Sequence, residues 1–263
     1  MLEIARRLVT PSLRSDVQPF MVMDVMAAAA RLEAAGRRII HMEVGQPAAA
    51  APSTARAAAL AALSGAQIGY TESLGIPPLR RRIAAHYRDS FGIDLDPGRV
   101  VVTTGSSAGF LLAFLAMFEP GDRVAIACPG YPPYRNILAA LGCEPVPIEI
   151  SAQNRWALTP EALLAAHRAQ PLAGLLFASP ANPTGTMMTA QALGALITAA
   201  EGEGIRCISD EIYHRLDYAF PAQTALAFSA NAMVIKTADQ MYGSLLNVLD
   251  TDNQNGNQGW DNS

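Results

Sequence analysis

Charge and long apolar runs are both scarce in this sequence. Of its 263 residues only 16% are charged, 51% are hydrophobic, and the formal net charge is −4. Low charge together with this apolar content excludes a disordered chain. No apolar run, including that at residues 111–118, approaches the roughly 18 residues of a membrane span, and no basic stripe indicates a nucleic-acid-binding surface. We therefore expect a globular domain, or a large domain with an appendage, that binds neither membrane nor nucleic acid.

Cysteine is also scarce. Three cysteines are an odd number, and Cys128, Cys143 and Cys207 show no C-x-x-C spacing, so they indicate buried, reduced thiols. The four histidines are dispersed and show no metal-ligand spacing. The first residues lack the apolar core of a secretion signal. We expect a cytoplasmic protein without a metal site.

Lysine is almost missing. Of the 19 basic residues 18 are arginine, which leaves Lys236 as the only lysine. Any chemistry that requires a lysine amine therefore has a single candidate in this chain.

Short apolar segments alternate with helical segments from residue 99 onward. Strands are predicted at residues 100–103, 123–127, 145–150, 172–178 and 205–209, and again at 233–235. Helices are predicted between them at 108–118, 133–141, 160–168 and 189–203, and before them at 17–35, 54–63 and 79–90, with a short strand at 37–43. Continuous apolar strands between helices predict an α/β fold whose mostly parallel sheet is sandwiched by helices. Ligands of such sheets bind at the carboxyl ends of the strands.

Polar clusters follow the predicted strands. Thr103–Ser107 places small and hydroxyl residues at the start of a helix, where free N–H groups and the helix dipole favour a phosphate; an ordinary helix cap explains it equally well. The proline-rich turn at 128–134 holds Tyr131 as a stacking platform for a planar ligand, or is simply a rigid turn.

The two later clusters are more specific. Asn182 is flanked by two X-Pro bonds that fix its amide as a hydrogen-bond donor to a phenolate or carboxylate oxygen. Asp210 ends a buried strand and needs a cationic or protonated partner, unless it only caps the next turn, and Tyr213 offers a phenol nearby. Together the clusters match pyridoxal 5′-phosphate: its phosphate, its ring face, its O3′ and its protonated ring nitrogen.

With these motifs the sequence resembles the class I and II aminotransferases, the fold-type I pyridoxal-phosphate enzymes, over roughly residues 10–235. The matching stretches are GQP at 45–47, GYTESLGIPPLR at 69–80, VVTTGSSAGF at 101–110, CPGYPPY at 128–134, SPANPTG at 179–185 and SDEIYHRLDY at 209–218. The resemblance implies an N-terminal arm and part of a small domain at 1–40, a cofactor-binding large domain at 41–249, and an incomplete small domain. Residues 250–263 are predicted to form a disordered tail.

The resemblance also implies roles for single residues. Gly45 would lie near the substrate carboxylate. Tyr70 would reach the phosphate of the neighbouring subunit's cofactor, which implies a homodimer. Ser106 and Ser107 would hold the phosphate of the chain's own cofactor, and Tyr131 would stack on its ring.

The remaining implied roles concern the ring substituents and the reaction. Asn182 and Tyr213 would bond O3′, with Asn182 also near the substrate, and Asp210 would pair with the ring N–H. The implied activity is transfer of an amino group between an amino acid and a 2-oxo acid. A nicotinamide dehydrogenase is disfavoured because no G-x-G-x-x-G follows a predicted strand.

The sequence departs from the family pattern after residue 235. Where the family continues asparagine–serine–aromatic–serine–lysine and that lysine forms the Schiff base, this chain reads KTADQ at 236–240. Gln240 thus takes the lysine position, and Lys236 is a displaced catalytic candidate. A truncated or frame-altered gene product would explain the difference. The alternatives are a catalytically dead cofactor- or partner-binding protein, and a lyase or decarboxylase of the same fold type.

Overall fold

A computed structural model describes residues 10–45, 50–65, 69–214, 216, 222–229 and 232–235. The helices there are α1 (Met21–Ala34), α2 (Ser53–Gly65), α3 (Pro77–Phe91), α4 (Ser106–Met117), α5 (Pro132–Ala140), α6 (Pro160–Ala169) and α7 (Ala190–Gly202). The strands are β1 (Arg123–Cys128), β2 (Glu144–Glu149), β3 (Gly174–Ala178), β4 (Arg206–Asp210) and β5 (Met233–Ile235).

The five strands form one parallel sheet in the order β2-β1-β3-β4-β5. The chain moves outward from β1 to β2 and then returns to the other side of β1 with β3. In open α/β sheets this reversal creates a crevice at the carboxyl ends of the two strands between which the order reverses, here β1 and β3, and ligands bind there. The end of β4 adjoins this crevice, since Ala178 of β3 pairs with Asp210 of β4.

Both faces of the sheet are buried by helices. Because side chains alternate along a strand, Val124 and Ile126 of β1 belong to one core cluster and Ala125 to the other. The first cluster contains side chains of α4 and α5, and the second contains side chains of α6 and α7. The predicted α/β fold with a sandwiched parallel sheet is confirmed.

Two predicted strands are wrong. Residues 100–103 and 37–43 are not strands in the structure. The Val102 N–H instead donates to the Leu74 carbonyl (3.0 Å), and Val101 and Ile40 are exposed. An apolar β-branched segment becomes a strand only where a neighbouring strand pairs with it, and none of the described strands pairs with either segment.

The remaining elements begin and end within a few residues of their predicted bounds. The start of α6 follows the expected capping rule, since the Thr159 hydroxyl accepts from the Ala162 N–H (3.3 Å) and Pro160 is the first helical residue. No helix in the described ranges is long and apolar enough to cross a membrane. The predicted tail at 250–263 lies outside these ranges, as do Lys236 and Gln240.

Candidate active site

The carboxyl edge of the sheet brings together three of the predicted polar clusters. Tyr131 lies in the turn between β1 and α5, Asn182 in the loop after β3, and Asp210 is the last residue of β4. The cleft lined by Gly130, Tyr134 and Asn182 shows that the loops after β1 and β3 meet there. The geometry therefore places these clusters at the crevice that the strand order creates.

Asp210 is a buried carboxylate, with only 3% of its surface exposed. Its Oδ2 accepts a hydrogen bond from the Tyr134 hydroxyl, and its Oδ1 accepts one from the Ile212 N–H (3.0 Å). Burial raises the pKa of Asp210, and these two hydrogen bonds act in the opposite direction. The phenol is a protonated partner of the kind that the sequence required for this carboxylate, although Tyr134 itself was not singled out as a site residue.

A chain of aromatic rings leads outward from this carboxylate through Tyr134. The Tyr131 ring meets the Tyr134 ring edge-on at 5.3 Å, and Phe20 approaches Tyr131 from outside at 6.0 Å. Burial raises the pKa of Tyr131, and the nearby Asp210 and Tyr213 raise it further. Tyr131, Tyr213 and Asp210 are therefore close enough to interact electrostatically.

The loop after β3 holds Asn182 in a tight turn. The Ala181 N–H donates to the Thr186 carbonyl (2.9 Å), and the Gly185 N–H donates to the Ala181 carbonyl (2.8 Å). The Ser179 hydroxyl accepts from the Met188 N–H (3.0 Å), which closes the base of the loop. Both X-Pro bonds that flank Asn182 are cis. The backbone hydrogen bonds of this loop fix the position of residue 182 at the cleft that Tyr134 also lines.

The start of α4 forms a candidate anion site. Gly105 has a φ of +87°, a conformation that residues with a side chain rarely adopt, and Ser106 and Ser107 follow it in the first turn. The Thr103 hydroxyl donates to the Gly105 carbonyl (2.8 Å) and fixes this turn. The first-turn N–H groups of a helix lack intrahelical acceptors and favour an anion.

Two predicted site residues lie outside this cluster. Gly45 is exposed, and a Cβ at Gly45 would meet no atom within 4 Å. The Tyr70 side chain is fully exposed, so it packs against none of the residues at the sheet edge. Lys236 follows β5 directly, but it lies outside the described residues.

The sequence reasoning missed a buried pair next to Asp210. Glu211 and His214 are both fully buried, with Glu211 Oε2 at 3.3 Å from His214 Nδ1. Glu211 Oε1 accepts from the Ser209 hydroxyl (3.2 Å), the Thr224 hydroxyl (3.0 Å) and the Ala225 N–H (2.8 Å). A glutamate and a histidine three residues apart after a buried strand were the available signal.

Comparison with known proteins identifies the family. Residues 37–239 match the family described as aminotransferase class I and II, which is more than half of the chain. The chain therefore belongs to the class I and II aminotransferases, as the motifs predicted.

The relatives include valine–pyruvate aminotransferase of Mycobacterium tuberculosis, 49% identical over 233 residues, which is 88% of this chain and 60% of that protein. The (5-formylfuran-3-yl)methyl phosphate transaminase of Methanocaldococcus jannaschii is 33% identical, over 81% of this chain and 54% of that protein. A crystal structure of an aminotransferase from M. tuberculosis superposes with a TM-score of 0.83 at 45% identity, covering 94% of this chain and 67% of that one. The chain thus spans little more than half the length of the curated relatives it matches.

Proposed function

We propose that this chain is the cofactor-binding part of a pyridoxal-phosphate-dependent aminotransferase, which transfers an amino group between an amino acid and a 2-oxo acid. Family membership supports this proposal, as do the names of the relatives. The name of the mycobacterial relative favours an aliphatic amino acid such as valine, with pyruvate as the oxo acid.

The observation that carries the proposal is the buried Asp210 carboxylate. A carboxylate held in an apolar setting is costly unless a cation or a strong donor faces it. The Tyr134 hydroxyl and the Ile212 N–H are neutral donors, and a protonated pyridine nitrogen would add a cationic one. The flanking aromatic ring of Tyr131, the fixed amide of Asn182 and the N-terminus of α4 offer the other contacts that a planar phosphate ester needs. This donor set fits the cofactor.

When bound, pyridoxal phosphate would supply an electron sink for negative charge that develops at the substrate Cα. Asp210 would keep the proton on the ring nitrogen, which maintains that sink. Tyr131 would stack on the ring, and Asn182 with Tyr213 would donate hydrogen bonds to O3′.

The remaining roles lie at the ends of the site. Ser106 and Ser107, with the free N–H groups of α4, would hold the phosphate. Gly45 would lie near the substrate carboxylate, as the resemblance to the family implies. Lys236, the only lysine, is the one candidate for the general base on Cα, displaced from the family position.

Asp210→Asn tests the proposed pairing of this carboxylate with the ring nitrogen. The amide can still bond Tyr134 but bears no charge, so we expect affinity for pyridoxal phosphate to fall by about 1.5–3 kcal/mol, roughly 10- to 150-fold. Absorbance titration measures the affinity and the spectrum of the bound cofactor, and thermal melting verifies the fold. Asp94→Asn, a change at an exposed carboxylate, is the matched control. An Asp210→Asn variant with the affinity and spectrum of the parent would contradict the assignment.

A second candidate function is cofactor binding without turnover. The observation that favours it is the sequence at 236–240, where Gln240 stands at the family's lysine position and Lys236 comes four residues earlier. An extended chain advances about 3.3 Å per residue, so this offset of roughly 13 Å is more than one side chain makes up.

We therefore expect no stable Schiff base between Lys236 and pyridoxal phosphate. Incubation with the cofactor, borohydride reduction and peptide mass spectrometry measure the adduct directly. Because the α-amino terminus is the other primary amine, its peptide must be quantified separately, and Lys236→Ala is the control. A pyridoxyl adduct on Lys236, lost in Lys236→Ala together with transaminase activity, would favour a working enzyme with a displaced lysine.

The broader assignments remain part of this proposal. We infer a homodimer, because Tyr70 would serve the neighbouring subunit, and a division at residue 40 between the N-terminal arm and the large domain. The three cysteines are free thiols, which supports a cytoplasmic setting.

A further inference from the structure

The segment 69–76, here named the Tyr70 loop, is fixed at its base although Tyr70 itself is exposed. The Leu74 carbonyl accepts from the Val102 N–H (3.0 Å), and the Gly75 N–H donates to the Glu72 carbonyl (2.9 Å). Gly75 has a φ of +98°, and a Cβ built there would lie 2.6 Å from Val102 Cγ2. Only glycine therefore allows the loop to approach the segment before α4 this closely.

Arg80 in the first turns of α3 strengthens the same junction. Its side chain is 12% exposed, its Nε donates to the Val100 carbonyl (3.0 Å), and its Nη2 donates to the Pro97 carbonyl (2.7 Å). Its Nη1 lies 3.9 Å from Glu72 Oε2 in the Tyr70 loop. One planar guanidinium thus joins the Tyr70 loop and α3 to the segment 97–104 that leads into α4.

These contacts distinguish Arg80 from an arginine that binds substrate. Two of its donor nitrogens are occupied by carbonyl groups seventeen and twenty residues away, and little of the side chain reaches solvent. The fixed fork of a guanidinium can serve two acceptors at once, whereas a lysine ammonium acts as a point charge. The arrangement is suited to holding backbone segments in place.

We propose that Arg80 is a positioning residue that fixes the Tyr70 loop relative to the N-terminus of α4. The proposal rests on the proposed function, in which Tyr70 contacts the phosphate in the neighbouring subunit and Ser106 with Ser107 contact the chain's own. One chain would thus contribute Tyr70 to one phosphate site and the N-terminus of α4 to another. Arg80 would fix the distance between these two parts. It acts through Tyr70 and touches no cofactor.

Hydrogen exchange on the full chain without any ligand tests the positioning directly. In Arg80→Lys we expect faster exchange at the Val102 amide and the Gly75 amide, because the segment 97–102 loses the guanidinium bonds to the Pro97 and Val100 carbonyls. Arg81→Lys, at an exposed arginine of the same helix, is the matched control and should leave both amides unchanged. Unchanged exchange at Val102 and Gly75 in Arg80→Lys would overturn the proposal.

Ligand binding then separates positioning from a general structural effect. We expect Arg80→Lys to weaken pyridoxal phosphate binding about tenfold, the scale of one hydrogen bond to a charged group, and to leave the affinity for pyridoxal, which lacks the phosphate, nearly unchanged. In the Tyr70→Phe background, Arg80→Lys should weaken binding little further, because both changes act on the same contact between Tyr70 and the phosphate. Equal losses for the two compounds, or full additivity with Tyr70→Phe, would contradict a role through Tyr70.

These experiments distinguish a failure of the proposed function from a failure of the proposed role of Arg80. A parent protein that binds neither pyridoxal phosphate nor pyridoxal contradicts the cofactor assignment, and with it the role at the phosphate. The exchange experiment still decides whether Arg80 holds the loop.

Discussion

Burial shifts the pKa values of the ionisable side chains at the carboxyl edge of the sheet. It raises the pKa of Asp210 and of the phenols Tyr131 and Tyr134, so the phenols remain protonated donors at neutral pH. The Tyr134 hydroxyl already uses its hydrogen on Asp210. A further cationic donor at this carboxylate would remove much of the desolvation cost, which is the physical reason to expect a protonated ring nitrogen there.

The contacts of His41 depend on its protonation. Its Nδ1 lies 2.6 Å from Glu43 Oε1 and its Nε2 lies 2.9 Å from Glu33 Oε1. Both nitrogens can donate only in the protonated ring, and the hydrogen bond to Glu43, followed by that to Glu33, raises the pKa of His41 from 6.5 to about 9. The stabilisation is therefore fully present below pH 6.5 and is lost as the pH rises through about 9.

Titration of the His41 ring protons by NMR measures this pKa. We expect a midpoint well above 6.5 that falls when salt is added, because the cluster is exposed and screened. In the parent, loss of the His41 proton should lower the free energy of unfolding as the pH rises from 7 to 9. His41→Gln should lack this contribution. A midpoint near the ordinary histidine value would mean that the two carboxylates do not hold the ring in solution.

At the scale of the element, Glu211 connects β4 to its surroundings. Its N–H donates to the Ile235 carbonyl at the end of β5 (2.8 Å), and its carboxylate accepts from Thr224 and Ala225. It also faces the buried His214. Glu211 thus fixes the end of β4, which carries Asp210, against the segment that leads to β5.

Glu211→Ala should lower the free energy of unfolding by about 3–5 kcal/mol, because it leaves His214 and the Thr224 hydroxyl buried without this acceptor. Chemical denaturation measures the loss. Glu203→Ala, at an exposed glutamate, should stay within about 0.5 kcal/mol of the parent. A Glu211→Ala loss as small as that of the control would show that water or rearrangement replaces the carboxylate.

The elements and the site differ in how far the sequence predicts them. The pattern of short apolar stretches predicted β1 to β5, all of which pair in the sheet. It failed at residues 37–43 and at 100–103, where the backbone bonds to Leu74. The motif positions of Asn182 and Asp210 at strand ends were predictable from topology. The bonds of Arg80 to Pro97 and Val100, and those of Glu211 to Thr224 and Ala225, were not, since these partners lie 13 to 20 residues away and depend on how the loops pack.

At the scale of the whole molecule, the strand order gathers the polar loops at one edge of the sheet, and the exposed apolar surface favours association. The reversal between β1 and β3 places three polar loops at one edge, while Tyr70 and the leucines Leu111, Leu112 and Leu115 of α4 are exposed. Large exposed apolar side chains on one helix favour association. A homodimer would cover such a surface and bring Tyr70 to the neighbouring site.

The proposed homodimer with shared sites allows a complementation experiment. On that proposal Tyr70→Phe would damage the neighbouring subunit's site, whereas Asp210→Asn would damage the chain's own. In a mixed dimer, the site of the Tyr70→Phe subunit keeps Asp210 and receives the native tyrosine from its neighbour. Mixing the two variants under conditions that exchange subunits should therefore restore tight pyridoxal phosphate binding that neither has alone. Each variant mixed with itself is the control. Absence of recovery despite subunit exchange, or sedimentation as a folded monomer at tens of micromolar, roughly the range of weak association, would contradict the shared site.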